Sequence, residues 1–188
     1  MAVPPIEKHP FEPFLPEGAR ILFLGSFPPQ EHRWCMPFYY PNWINDFWRI
    51  MGLIHFGNKN HFCLVGEKRF DEALIRQFCA DASLAFYDTA CEVRRLKDNA
   101  SDAFLEVVTP TDVPALLASI QDCRHIVVTG EKAAQTLAAS LGCTPPPVGG
   151  FIDLSIADRE IRLWRMPSTS RAYPLPLEKK AEAYRQLF

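Results

Sequence analysis

Three short, continuous apolar runs constrain this sequence more than any other feature in it. Arg20-Ile21-Leu22-Phe23-Leu24, Ser83-Leu84-Ala85-Phe86-Tyr87 and His125-Ile126-Val127-Val128 lack the alternation of a strand with one wet face. Runs of this kind read as strands buried on both faces, the pattern of a parallel sheet covered by helices. Each also stops at a small or polar residue: Gly25, Asp88 and Thr129-Gly130.

Between the runs the apolar spacing becomes helical. Phe47, Trp48, Ile50, Met51 and Ile54 predict a helix over about 45–55, and Phe70, Ala73, Leu74, Gln77 and Phe78 one over about 68–80. Thr111 can cap a helix over 112–121, and further helices are expected over 131–141 and 176–188. Phe151 to Ala157 faces Glu160 to Met166 across Asp158-Arg159 as a hairpin whose second arm joins the main sheet. The stretch carrying Arg94, Arg95 and Lys97 reads as irregular. Residues 1–18 contain five prolines and suit an extended arm lying over the surface rather than a packed element. The expectation is a single α/β domain over 19–188, three-layer α/β/α around a central, mainly parallel four-stranded sheet.

A chain of 188 residues, 48% apolar, can bury one sizeable core. Its formal net charge of −2 supplies no global field for a polyanion, so a nucleic-acid partner requires a local basic patch. Arg159, Arg162, Arg165 and Arg171, with Arg94, Arg95 and Lys97, are candidates for it, or else are solvated charges. Cys35, Cys63, Cys79, Cys91, Cys123 and Cys143 form no Cys-x-x-Cys pair and read as free, mostly buried thiols. No basic leader with an apolar core precedes the domain, and no apolar run approaches the length of a membrane span. A monomer in the reduced cytoplasm, with no membrane partner, is the expectation. His32, His55, His61 and His125 lack partner spacing, so no metal and no cofactor is expected. No Gly-x-Gly-x-x-Gly follows the first strand, which disfavours a dinucleotide cofactor.

Ligands of an open parallel sheet bind beyond the carboxyl ends of its strands. Here those ends are Gly25-Ser26-Phe27-Pro28-Pro29, Tyr87-Asp88-Thr89, Thr129-Gly130 and Met166-Pro167-Ser168-Thr169-Ser170, with Phe38-Tyr39-Tyr40-Pro41-Asn42-Trp43-Ile44-Asn45 arching over them. The first and last of these resemble the two signature motifs of the uracil-DNA glycosylase superfamily. Tyr39-Tyr40-Pro41-x-x-x-Asn45-x-Phe47-Trp48-Arg49-Ile50-Met51-Gly52 resembles the segment bearing the catalytic asparagine in its hypoxanthine-DNA glycosylase branch. The resemblance runs from about residue 20 to 173 and takes in Gly130-Glu131-Lys132-Ala133-Ala134. Two departures stand out: Pro29 replaces a usual glycine, and Pro41-Asn42-Trp43-Ile44 replaces the usual spacer.

The resemblance implies a DNA glycosylase of base excision repair. Such an enzyme flips a deaminated base, hypoxanthine or uracil, out of DNA and hydrolyses its N-glycosidic bond. It places Asn45 on the water-holding position, where a side-chain carbonyl can orient a nucleophile without taking its proton. Asn45 can equally cap the helix that follows. Gly25, Ser26, Phe27, Tyr39, Tyr40 and Asp88 would bind the base. Ser26 and Phe27 would offer backbone N–H groups, the aromatic segment including Phe38 a stacking face, and Asp88 an acceptor for a ring or amino N–H. The alternatives are core packing for the rings and a turn cap for Asp88. Ser168, Thr169, Ser170 and Arg171 would meet the DNA backbone. A second reading keeps the pocket for a nucleotide or nucleobase without hydrolysis, and the proline-rich departures motivate it.

Overall fold

The computed structural model of the protein describes residues 3–188. Its main sheet has five strands: β2 (Ile21–Gly25), β5 (Leu84–Asp88), β8 (His125–Thr129), β9 (Gly150–Ile156) and β10 (Arg159–Met166). The spatial order is β5-β2-β8-β10-β9. The first three pairings are parallel, as the buried apolar runs predicted, and β9 adds an antiparallel edge through its hairpin with β10. That hairpin turns at Ala157 and Asp158, both at positive φ (51° and 58°), the conformation that follows the twist of the flanking strands.

Helices flank the sheet: α1 (Phe47–Phe56), α2 (Glu72–Asp81), α3 (Val113–Ser119), α4 (Glu131–Leu141) and α5 (Leu177–Arg185). Asp71 and Asp112 cap α2 and α3, each accepting from the amide three residues on, so Asp112 rather than Thr111 opens α3. The core between α1 and the sheet is aromatic. Phe23 and Phe86 stack at 5.4 Å, Phe47 meets Phe23 edge-on at 5.3 Å, and Trp48 is fully buried against Phe86. Burial of such rings stabilises the fold by about 1.5–3 kcal/mol each. Helix α5 closes this layer with Tyr184, whose hydroxyl donates to Pro167 O at 2.6 Å. Among the described residues no helix is long and apolar enough to cross a membrane. The six thiols are free, two buried and four half-buried.

Two segments fold differently from the sequence expectation. The stretch expected to be irregular forms β6 (Ala90–Arg95) and β7 (Leu105–Pro110), which make an antiparallel sheet with β1 (Ile6–Lys8) in the order β1-β6-β7. A register shift between Ala90 and Val93 breaks the period-two alternation that would have announced β6. The proline-rich segment is extended but pinned. After β1, Phe14 exchanges two backbone hydrogen bonds with Phe86 (3.0 and 2.8 Å) along the outer edge of β5. A two-stranded ribbon of β3 (Cys63–Leu64) and β4 (Arg69–Phe70) links α1 to α2.

Candidate functional site

The carboxyl ends of β2, β5, β8 and β10 surround a cavity of about 630 Å³, within the usual range for a small-molecule or base pocket. Gly25, Ser26, Phe27, Tyr39, Tyr40, Asn45, Asp88, Ser168, Thr169, Ser170 and Arg171 all line it. Phe38 does not. Its ring is buried and stacks on Trp48. Loops from both ends of the chain therefore meet at one sheet edge.

Gly25 ends β2 beneath Asp88. A Cβ at residue 25 would sit 2.6 Å from Asp88 Oδ1, so only glycine leaves the carboxylate its place. Ser26 turns its hydroxyl to Asp102, donating to Oδ1 at 2.8 Å. The two prolines that follow hold their neighbours by their carbonyls: Pro28 O accepts from Arg95, and Pro29 O from the Trp34 indole at 2.7 Å. Phe27 is buried and meets the His9 ring in a T-shaped contact at 5.3 Å.

The aromatic arch divides its rings between core and cavity. Tyr39 is 2% exposed and its hydroxyl donates to Glu12 O, with burial pushing its ionisation well up. Tyr40 lies flat on Phe47 at 4.0 Å, an interplanar angle of 3°, and its hydroxyl is paired with Thr129 Oγ1 at 2.7 Å. Asn45 follows. Its Oδ1 accepts from Phe47 N–H at 2.9 Å, so it satisfies an orphan amide at the start of α1. A side-chain carbonyl has two lone pairs, and this bond occupies one.

The Ser168–Arg171 loop is clamped to the Asn45–Asp46 turn. Thr169 O accepts from Asp46 N–H at 2.9 Å. The buried Asp46 carboxylate receives Arg171 Nε on one oxygen (3.1 Å) and Lys180 Nζ on the other (3.2 Å), and Lys180 also donates to Ser170 O at 2.8 Å. Lys180 is 1% exposed, so this is an interior ion pair. It holds the two halves of the cavity rim together.

The expected basic patch is not assembled. Arg159 donates to the backbone carbonyls of Leu117, Ile120, Gln121 and Cys123, and Arg162 is paired with Asp153. Arg94 pairs with Glu106, and Lys97 lies over the Phe104 ring. Strand pairing sets Asp153 opposite Arg162 and Glu106 opposite Arg94, whereas Arg159 is taken up by carbonyls at and beyond the end of α3. The cations that reach the cavity are Arg33, Arg95 and Arg171.

Among the residues that escaped the sequence reading, Phe11 and Asp102 line the cavity and His9 contacts Asp88. They come from the arm and from the segment after β6. Neither carries periodicity, so no local signal marked them. Burial raises the Asp102 carboxyl above its usual range, the Ser26 hydroxyl acting against it. The folded state therefore keeps its proton to higher pH than the unfolded chain, and Asp102 adds stability at low pH that is lost as pH rises through its raised value. Asp102→Asn should flatten the decline of melting temperature over the range just above the ordinary carboxyl titration. An unchanged profile would show that Asp102 ionises without cost.

No protein-family model and no curated protein sequence matches this chain. Among solved structures it is similar to a candidate uracil DNA glycosylase from Methanosarcina acetivorans, determined by solution NMR. The two share 21% identity with a TM-score of 0.63, over 97% of this chain and 98% of the other. At that level of identity the likeness establishes a common fold: a mainly parallel sheet flanked by helices.

Proposed function

We propose that this chain is a DNA glycosylase that draws a deaminated base, hypoxanthine or uracil, out of DNA and hydrolyses its N-glycosidic bond. The observation that carries this reading is the convergence of Asn45, Asp88 and the Ser168–Arg171 loop on one cavity at the carboxyl edge of the sheet. The neighbour of the same fold is described as a uracil DNA glycosylase candidate, which accords with it.

In this reading the flipped base enters between Phe27 and Tyr40, and Asp88 accepts from its ring N–H. The second lone pair of Asn45 Oδ1 holds a water near the anomeric carbon, while the Phe47 amide fixes the side chain. As the C1′–N bond breaks, its electron pair leaves with the base. The water oxygen bonds to C1′, and the proton it sheds goes to the departing base. No protein group becomes covalently attached.

The test is a cleavage assay on oligonucleotides carrying uracil, hypoxanthine or xanthine, single- and double-stranded, with alkaline scission of the abasic product. Release of at least one base supports the reading. Saturable base binding without release would favour the non-catalytic pocket, for which the use of Asn45 Oδ1 as a cap is the relevant observation.

With so few cations at the cavity, DNA binding should depend only weakly on salt, with a log–log slope of roughly −2 to −4. Arg171→Ala should reduce the slope by about one, equally for all sequences, since a phosphate contact carries no sequence information. Titration of an abasic-site duplex at several salt concentrations measures it. An unchanged slope would leave Arg171 only its bond to Asp46.

A further inference from the structure

The N-terminal arm brings a histidine into contact with the carboxylate of the cavity. His9 Nε2 lies 2.7 Å from Asp88 Oδ2, and the His9 side chain is 3% exposed. The other ring nitrogen is held by one residue: Nδ1 lies 3.1 Å from Phe11 N and 3.0 Å from Phe11 O. A neutral ring accepts from that amide and a cationic ring donates to that carbonyl. In both states Nε2 carries the proton and donates to Asp88. The tautomer with a bare Nε2 would set a lone pair against the carboxylate. Four rings, Phe11, Phe27, Tyr39 and Tyr87, enclose the imidazole and fix its plane.

The consequence falls on the other oxygen. Asp88 Oδ1 lies over the bare Cα of Gly25, with no hydrogen-bond partner among the described residues. We propose that His9 is a positioning residue for Asp88. By holding Oδ2 it presents Oδ1 to the cavity as a free acceptor, which selects bases whose pairing-edge ring nitrogen carries a proton.

Hypoxanthine and uracil carry that proton, whereas adenine and cytosine place a lone pair there and meet the carboxylate acceptor to acceptor. An unpaired buried acceptor is costly enough to reject the wrong base strongly. The arm thus supplies the discrimination between a deaminated base and its parent. This deepens the glycosylase reading and rests on it.

His9→Leu fills the ring's apolar enclosure without an N–H, and His9→Gln restores a donor near the position of Nε2. Both are checked by thermal unfolding and then assayed on duplexes carrying hypoxanthine or uracil. His9→Leu should lower kcat/KM by about tenfold or more, and His9→Gln should recover to within about threefold of wild type. In an Asp88→Asn background His9→Leu should have no further effect, since the two residues act as one unit. If His9→Leu does not fold, His9→Gln at near wild-type kcat/KM supports the proposal and a loss in that variant overturns it. Equal activity of His9→Leu and wild type, equal loss in His9→Leu and His9→Gln, or additive loss with Asp88→Asn would each overturn it. A wild-type protein that cleaves neither base sinks the glycosylase reading alone. The inference is then decided by calorimetry with free hypoxanthine and adenine: a preference for hypoxanthine that His9→Leu abolishes sustains it, and no preference in the wild type overturns it.

Discussion

An Asn45→Ala protein is expected to bind an abasic-site duplex normally and to release deaminated bases at least about 100-fold more slowly than wild type. Two effects are combined in that variant. Losing the bond from Phe47 N–H to Oδ1 removes a cap from α1 and costs about 1 kcal/mol of stability. Losing the second lone pair removes the group proposed to hold the nucleophile. Asn45→Asp separates the two: its carboxylate still accepts from Phe47, so stability should hold. It also replaces the neutral amide that orients the water by a charged group of different hydrogen-bonding capacity, so the rate should still fall by about two orders of magnitude. Single-turnover excision rates beside urea denaturation measure both. A well-folded Asn45→Asp protein at wild-type rate would remove Asn45 from the chemistry and leave it a helix cap.

The largest effect on stability is expected at Asp46. Asp46→Ala leaves the Lys180 ammonium, 1% exposed, with only the Ser170 carbonyl. Breaking a buried pair from one side costs about 3–5 kcal/mol, a large part of the roughly 5–15 kcal/mol that holds a domain folded. Lys180→Met should be much milder, because the long apolar stem is replaced in kind and Asp46 retains Arg171 at 3.1 Å. Equilibrium urea unfolding of both variants gives the comparison, and equal losses would contradict it. Asp46→Ala should also loosen the Ser168–Arg171 loop, raising KM before it lowers the rate.

The parts of this molecule legible in its sequence are those written in short-range pattern. Leu22, Phe23 and Leu24, or Ile126, Val127 and Val128, can be read as a doubly buried strand without knowing what covers them. The strand ends then nominate the cavity, since Gly25, Asp88 and Ser168 each follow a run. What was not legible depends on contacts between distant residues. His9 and Asp88 are 79 positions apart, and Lys180 and Asp46 are 134 apart. Nothing around either member of a pair requires the other. The arginines misled for a related reason: a guanidinium in sequence does not say whether carbonyls will claim it. Arg159 spans four carbonyls around the end of α3 and has little left for a phosphate.

The exchange between Phe14 and Phe86 has a further effect. Strand β5 is the outermost member of its sheet, and its unpaired N–H and C=O groups would form a template for another chain to add to. By bonding to Phe86 in both directions, the arm stops that outer row from recruiting a neighbour's strand. Proteolytic trimming past Phe14 would therefore do more than detach His9 from Asp88. It would uncover an adhesive border, and self-association of the trimmed protein would accompany the loss of base discrimination.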